Sequence, residues 1–588
     1  MLKTNCLYIR VIVWLIVTSL SKNALQILKE RYLLKDRDGN IIETPQQLFR
    51  RVATCVASCE EEQKNVFEEQ FYEILNNLLF LPNSPTLMNA GCRNGQLSAC
   101  FVLPIADSLE AIFSTLKHAA LIHQSGGGTG FNFSKLRPKN DFVSTTSGTS
   151  SGPVAFMKVY DAATEYVKQG GKRRGANMAI LNVNHPDIEE FITSKSSKKA
   201  IKNFNISVGI TDDFMKAVQQ DLSWQLINPH TKKVAKVVKA KAIWQLIVNQ
   251  AWRTGDPGLI FLSTINILNP TPKMGDIEST NPCGEVPLLN YESCNLGSVN
   301  LSKMILKKDL KFEIDWKKLT KTVQLGIRFL DNVITLNHYL LPQIKSITMA
   351  NRKIGLGVMG WAELLILLEI PYASVEAVSL AEKIMQFIKN ESYKASEKLA
   401  RERGVFPEWK NSIYAPNLKL RNATCNSIAP TGTISVIADT SYSIEPLFAI
   451  AYDRIGILGN KRQTEINKLF IQKMKQLNVW NDKLKKTILN AGSIQSTRLV
   501  PQSIKSIFKT SLEIPWKYHL MHQQAFQKHT DNAVSKTINL CEDTTEEDIS
   551  RIFMTAWKYK LKGITVYRHG SKINQVIQKC NLNNSEAC

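Results

Sequence analysis

Acidic residues are in short supply in this 588-residue chain: 51 Asp and Glu stand against 74 Lys and Arg, for a formal charge of +23. An excess of that size suggests nucleic acid, but the basic residues gather only in short groups such as Lys172-Arg173-Arg174 and Lys195 to Lys199. No helix-turn-helix or zinc-finger pattern accompanies them. A generally basic surface that draws anionic nucleotides accounts for the charge without a nucleic-acid partner. Long apolar runs are missing too, and nothing reaches the span of a bilayer. The nearest, residues 11–17 behind Lys3 and Arg10, has the form of a signal-peptide core. It reads as an extra prefix, from a misassigned start or a disordered extension, so neither secretion nor a membrane partner is expected. A compact disulfide framework is absent: the eleven cysteines, at 6, 55, 59, 92, 100, 283, 294, 425, 541, 580 and 588, are spread along the whole chain. A reducing, cytoplasmic location follows. Cys55 and Cys59 fall within a helical pattern with no His or further Cys nearby, so no metal site is expected there. There is no internal repeat and no low-complexity linker.

What is present is length and an ordinary balance, with 44% apolar and 21% charged residues, enough for a large core. Beyond the prefix 1–21, residues 22–80 carry helical spacing, as in Phe67, Phe71, Leu75 and Leu78-Leu79, and read as a helical N-terminal region. From 81 to 569 short apolar segments alternate with long amphipathic helices, of which Val375 to Arg403 is the clearest, and this implies α/β with much parallel sheet. A doubly wound sheet and a barrel both satisfy that pattern. Residues 570–588 are polar and read as a flexible tail.

The chemistry concentrates in Asn281-Pro-Cys-Gly-Glu285, with a second cysteine at Cys294. A lone cysteine is usually a small buried hydrophobe. Here an amide and a carboxylate lie two residues either side of the thiol, and in an extended or looped backbone all three side chains project to one face. Pro282 and Gly284 disfavour a helix and favour a tight loop. The segment reads as a loop tip carrying an amide, a sulfur and a carboxylate, suited to radical or proton chemistry.

NPCGE followed by LLNYESCNLGSVNLS (288–302) resembles the catalytic loop of ribonucleotide reductases. PNSPTLMNAG (82–91), LSACFVLP (97–104), GGGTGFNFSKLRP (126–138), KQGGKRRGANMA (168–179), NRKIGLGVMGWAELL (351–365) and APTGTIS (429–435) resemble segments of the same family in the same order. Within it, the chain is most similar to the class II, adenosylcobalamin-dependent enzymes. The resemblance implies a ten-stranded α/β barrel over 81–569, with the Cys283 loop entering its centre.

It also implies roles. Cys283 becomes the thiyl residue, Glu285 the general base for the ribose 3′-hydroxyl proton, and Asn281 the amide that holds the sugar hydroxyls. Cys100 and Cys294 match the family's redox-active pair, which closes to a disulfide as it delivers electrons. Pro430, Thr431, Gly432, Thr433 and Ile434 match its substrate-phosphate loop, whose small residues let backbone N–H groups approach a phosphate. Ser84, Ala99, Gly128, Pro282 and Gly284 match further substrate contacts. Val154 to Lys168 reads as a helix of the dimer interface, and Gly170, Gly171, Lys172, Arg173, Arg174 and Gly175 as the loop that senses a deoxynucleoside triphosphate effector. Cys92, Cys425 and Cys541 match no functional position and read as packing residues.

Gly355-Leu-Gly357-Val-Met-Gly360 satisfies the dinucleotide fingerprint GxGxxG, but ITMANRK before it is a poor buried strand and no well-placed acid follows. It reads as structural. The C-terminal KGITVYRHGS (562–571) holds Tyr567 alone where class I enzymes carry adjacent tyrosines, and no glycyl-radical segment is visible. The reading is therefore a homodimeric, adenosylcobalamin-dependent ribonucleoside-diphosphate reductase served by a thioredoxin-like reductant. Its alternatives are a class I large subunit and a non-catalytic basic nucleotide- or nucleic-acid-binding protein. Cys580 and Cys588 lack the CxxC spacing of a thiol shuttle and stay unassigned.

Overall fold

The computed structural model describes residues 20–93, 95–144, 147–169, 173–196, 201–309, 311–454, 463–571 and 577–579. The prefix 1–19, Gly170, Gly171, Lys172, residues 197–199 of the second basic group, and Cys6, Cys580 and Cys588 lie outside the described residues.

The N-terminal region is helical. Helix α1 (Pro45–Ala57) begins where Pro45 occupies the first turn and Thr44 and Gln47 close a reciprocal capping box. It packs with α2 (Lys64–Asn76), burying Leu48, Phe49, Val52, Phe71 and Leu75. Phe71 meets Phe329 edge-to-face at 5.3 Å, which docks the pair on a long barrel helix, Trp316–Leu336. Cys59 lies just beyond the C-cap Ser58, outside the helix that holds Cys55. Val375–Arg403 is a single helix, capped by Ser374 and ended at Gly404.

A ten-stranded sheet forms the centre. Its strands, with β1 (Phe80–Pro82), are β2 (Cys100–Val102), β3 (Gly128–Asn132), β4 (Asn177–Asn182), β5 (Phe204–Ile210) and β6 (Gly258–Phe261). After a small hairpin of β7 (Ser279–Thr280) and β8 (Pro287–Leu288) come β9 (Glu292–Asn300), β10 (Ile354–Met359), β11 (Thr537–Leu540) and β12 (Gly563–Arg568). Strands β2 to β6 run parallel in chain order. At each edge the direction reverses, β9 pairing antiparallel with β2 and β12 antiparallel with β6. Strands β9 and β10 are parallel, as are β11 and β12. Strand β1 adds antiparallel to the second half of β9. Two single bridges, Leu356 with Asn426 and Ile428 with Val534, then carry the ring from β10 across residues 426–428 to the start of β11. The barrel is thus two parallel groups set antiparallel to each other, closed by a seam.

Most barrel strands are buried on both faces, β1, β2, β6, β9 and β10 along their whole length, which explains their apolar runs, whereas β11 and β12 are partly open. The GxGxxG segment lies on β10 rather than in a phosphate-binding turn. A Cβ at Gly357 would come within 2.3 Å of the Ser427 carbonyl, and one at Gly355 within 2.4 Å of Leu296. Close strand packing accounts for these glycines. A satellite core of Leu447, Ile450, Phe470, Met474, Ile488 and Phe508 stands apart from the barrel. The C-terminal tail is not wholly irregular, since Ile577–Lys579 pairs antiparallel with Ala451–Arg454.

Candidate active site

Strands β7 and β8 lift a six-residue loop, 281–286, into the barrel. Asn281 organises it: its Oδ1 accepts from Val286 N at 3.0 Å, and its carbonyl accepts from Gly284 N at 3.1 Å. Gly284 has φ +82°, a conformation costly for any residue with a Cβ. The wall holds the loop from outside. Asn205 Nδ2 donates to the Pro282 carbonyl at 2.7 Å, while Ser427 Oγ and Ala533 N both donate to the Glu285 carbonyl at 2.8 Å.

The glycine run before β3 and on it is the bed for this hairpin. A Cβ at Gly128 would meet Pro282 at 2.8 Å, and one at Gly130 would lie 1.7 Å from the Thr280 carbonyl oxygen. The loop turns back on itself at Gly284, so Asn281, Cys283 and Glu285 do not lie on one continuing strand. Asn281 and Glu285 are buried, whereas Cys283 is exposed.

Cys100 on β2 and Cys294 on β9 are register partners, directly opposite across an antiparallel pair. Opposed residues of such a pair have Cα atoms about 4.5–5.5 Å apart, inside the roughly 4.4–6.8 Å that a disulfide spans. The distance in sequence between the two cysteines hides this adjacency entirely. Asn281 Nδ2 stands 3.2 Å from Cys100 Sγ, so the loop's amide reaches the cysteine pair. Cys294 is a free, buried thiol. Burial pushes its pKa well up, the negative charges of Glu292 and Glu285 add to the rise, and Lys353 opposes it.

Two of these neighbours escape a motif reading. Glu292 and Lys353 form a fully buried ion pair at 2.8 Å, with Asn351 Nδ2 and Leu289 N also donating to Glu292. The NRK segment 351–353 thereby supplies partners beneath the cysteine pair. Asn205, on β5, carried no sequence signal either.

The other expected residues fall into place unevenly. Ala99 and Gly128 flank the cysteine pair, Gly128 N donating to the Ala99 carbonyl at 2.8 Å. Ser84 opens a short helix, with its Oγ 2.7 Å from the Tyr32 hydroxyl. In the 430–434 loop, Thr431 has φ +57° and its Oγ1 accepts from Ser443 N at 2.7 Å. The helix that follows is only Ile434–Ile437, a single turn with Ile434 buried, and Thr433 is its N-cap. A cavity of about 610 Å³ adjoins Pro282, Cys283 and Gly284 at the loop tip and Pro430 and Gly432 beside it. Asn281, Glu285, Cys100, Cys294 and Ser84 lie outside its lining.

Of the expected effector loop, Arg173 and Arg174 pair with Lys168 and Gln169 as a small hairpin after the helix Pro153–Tyr166. Gly175 ends it, where a Cβ would lie 3.0 Å from His123 Nδ1. His123 Nε2 is 2.9 Å from Thr129 Oγ1, which donates to Asn177, which in turn donates to Thr164. This buried chain joins the hairpin's base to β3. Burial lowers the His123 pKa to about 4. Cys541, expected to pack, is exposed, and its thiol donates to the Leu512 carbonyl.

A family profile described as the ribonucleotide reductase barrel domain matches residues 98–419 and 417–567, and one described as its all-alpha domain matches 18–95. The chain belongs to the ribonucleotide reductase large-subunit family. A vitamin B12-dependent ribonucleoside-diphosphate reductase of Thermoplasma acidophilum is 49% identical, over 95% of this chain and 80% of its own. One from Mycobacterium tuberculosis is 47% identical, over 95% and 79%. Among solved structures, the class Id ribonucleotide reductase alpha subunit of Actinobacillus ureae superposes with a TM-score of 0.77 at 23% identity, over 94% of this chain and 97% of that one. At that identity it shares the reductase fold. Among the described residues, no helix is long and apolar enough to cross a membrane.

Proposed function

We propose that this chain reduces ribonucleoside diphosphates to 2′-deoxyribonucleotides by thiyl-radical chemistry, with adenosylcobalamin as the radical source. One observation carries the reading: Cys100 and Cys294 face each other across one strand pair, beside the Asn281 amide of the loop that presents Cys283. When bound, adenosylcobalamin would supply the one-electron oxidant for the Cys283 thiol. The residues present suit its uncharged adenosyl end. Cys283 opens on the cavity, whose lining also includes the apolar side chains of Met178, Leu259, Ile260, Ile564 and Val566.

The Cys283 sulfur takes the ribose 3′-hydrogen while Glu285 accepts the 3′-hydroxyl proton. Asn281 orients the sugar. The neighbouring 2′-hydroxyl then leaves as water with a proton from the cysteine pair. Cys100 and Cys294 close to a disulfide, their two electrons and second hydrogen going to C2′, after which Cys283 returns its hydrogen to C3′ and Glu285 its proton to the 3′-oxygen. Backbone N–H groups of 430–434 hold the phosphates, and Ser84, Ala99 and Gly128 complete the substrate contacts.

A deoxynucleoside triphosphate effector is assigned to the hairpin 168–175. A homodimer is assigned to the helices Leu109–Gln124 and Pro153–Tyr166, which leave Leu109, Phe113 and Tyr166 exposed by 65%, 50% and 86%. A thioredoxin-like protein recharges the disulfide, and the setting is the cytoplasm. Tyr567 on β12 is flanked by Val566 and Arg568, not by a second tyrosine, which favours this reading over a class I relay.

The test is reduction of CDP with dithiothreitol, with and without adenosylcobalamin and with no added protein. Turnover only in the presence of the cofactor is expected. Turnover without it, or none with it, overturns the assignment.

A further inference from the structure

The cavity beside Cys283 has walls whose charge is nearly balanced. Among the described residues that line it, Lys536 is the one basic side chain, against the carboxylates of Asp256 and Glu445. Asp256 lies 3.3 Å from Lys195. Lys536 is wholly buried and committed: its Nζ donates to Glu445 Oε2, approaches His519 Nδ1 at 3.1 Å and reaches the Thr537 carbonyl at 3.4 Å. His519 Nε2 stands 3.0 Å from the Ser511 carbonyl, so Nε2 carries the ring hydrogen and Nδ1 is the acceptor that Lys536 needs. All three ammonium hydrogens are thereby placed. Glu445 also accepts from Thr537 N at 2.9 Å through Oε1. Each of its oxygens uses one lone pair on the protein and keeps another. Both members of the ion pair line the cavity, but only Glu445 keeps accessible side-chain surface, 21% against 0% for Lys536.

Such a wall does not suit a polyphosphate, which needs cations or clustered N–H donors. Those donors sit only at the end formed by the 430–434 loop. It suits an uncharged ligand bearing hydroxyl donors, and a fixed carboxylate is the usual acceptor for ribose hydroxyls. The lining includes Cys283 but none of Asn281, Glu285 and the cysteine pair, the groups assigned to the substrate's sugar, and it continues past the 430–434 loop to Glu445 and Lys536.

We propose that Glu445, fixed by Lys536 and Thr537, is a binding residue that accepts hydrogen bonds from the ribose hydroxyls of the 5′-deoxyadenosyl group of the cofactor. This rests on the function proposed above.

The test is equilibrium binding to the full-length protein, followed by the cobalamin absorption spectrum, of adenosylcobalamin and of methylcobalamin, which lacks the nucleoside on that face. Glu445→Gln should weaken adenosylcobalamin about tenfold, the difference between a charged and a neutral acceptor, and leave methylcobalamin unchanged. An adenosylcobalamin lacking the 2′-hydroxyl of its adenosyl ribose should lose a similar factor on the unaltered protein, which needs no variant to fold. Equal weakening of both cobalamins, no effect on either, or weakening of CDP alone would each overturn the assignment of Glu445 while leaving the proposed function intact. If the unaltered protein binds neither cobalamin, the function and this inference fall together.

Discussion

Cys100 and Cys294 stand opposite each other on antiparallel strands, and Asn281 Nδ2 lies 3.2 Å from the sulfur of the first. A loop amide and a cross-strand thiol pair are thus parts of one packed unit. Cys294→Ser should leave cobalamin homolysis intact, measured by stopped-flow absorbance, yet block multiple turnovers of CDP. Cys283→Ser should abolish both turnover and substrate-dependent radical signals while the melting temperature stays within a degree or two of the parent. Turnover sustained by the Cys294 variant would remove it from the electron path.

Gly130 has no room for a side chain, because its Cβ would fall 1.7 Å from the Thr280 carbonyl oxygen. Backbone cannot yield as a flexible side chain does, so Gly130→Ala should cost about 1–3 kcal/mol, as overpacked sites do. CDP reduction should fall by more than tenfold as the hairpin shifts. Urea denaturation and a CDP assay on the same preparation read both effects.

Beneath the cysteine pair, Lys353 neutralises Glu292 where neither side chain meets solvent. Lys353→Met should destabilise the protein by about 3–5 kcal/mol, the cost of a buried charge left alone. Adding Glu292→Gln should return much of that loss. A double variant no more stable than the single one would show that the pair is not coupled.

Burial holds His123 near a pKa of about 4 and His522 near about 3, against an ordinary value of 6.5. Between those values and 6.5 the unfolded chain binds more protons than the native one, so stability is full above pH 6.5 and is lost as pH falls toward 4. Thermal melts from pH 7.5 to 4.5 should show the decline setting in below pH 6.5. Replacing His123 by Gln should flatten part of it.

The exposed apolar side chains of the two neighbouring helices predict self-association. Phe113→Asp with Tyr166→Asp should convert a dimer to a monomer in sedimentation velocity without lowering the melting temperature of the monomer by more than about 1 kcal/mol equivalent, since both positions are surface ones. A parent protein that sediments as a monomer at micromolar concentration would contradict the dimer.

The helices were the most legible part of the sequence. Val375–Arg403 declares itself through spacing, a Ser cap and a terminal Gly, all local signals. The barrel was legible only as α/β alternation, because parallel strands buried on both faces look alike whether a sheet is open or closed. Closure depends on two single bridges at Asn426 and Ile428, far too little pairing to leave a pattern. In the site, motifs located the loop and both cysteines, but spacing alone does not give the path of the chain through 281–285. Alternation assumes a continuing strand, and Gly284 turns the chain instead. Glu292, Lys353, Asn205 and Glu445 belong to no short motif. Their partners lie on other strands, and only the assembled barrel reveals them.

The seam that closes the barrel passes beside the 281–286 loop, and Ser427 and Ala533, one from each side of it, donate to the same Glu285 carbonyl. The loop therefore works as a stitch across the joint it sits on. Loosening at 426–428 would release the loop, and withdrawal of the loop would open the joint. Amide exchange at Ser427, Ile428 and Ala533 should accordingly slow or quicken in step with that of Gly284 and Val286, so that order in the 281–286 loop and integrity of the barrel are a single equilibrium.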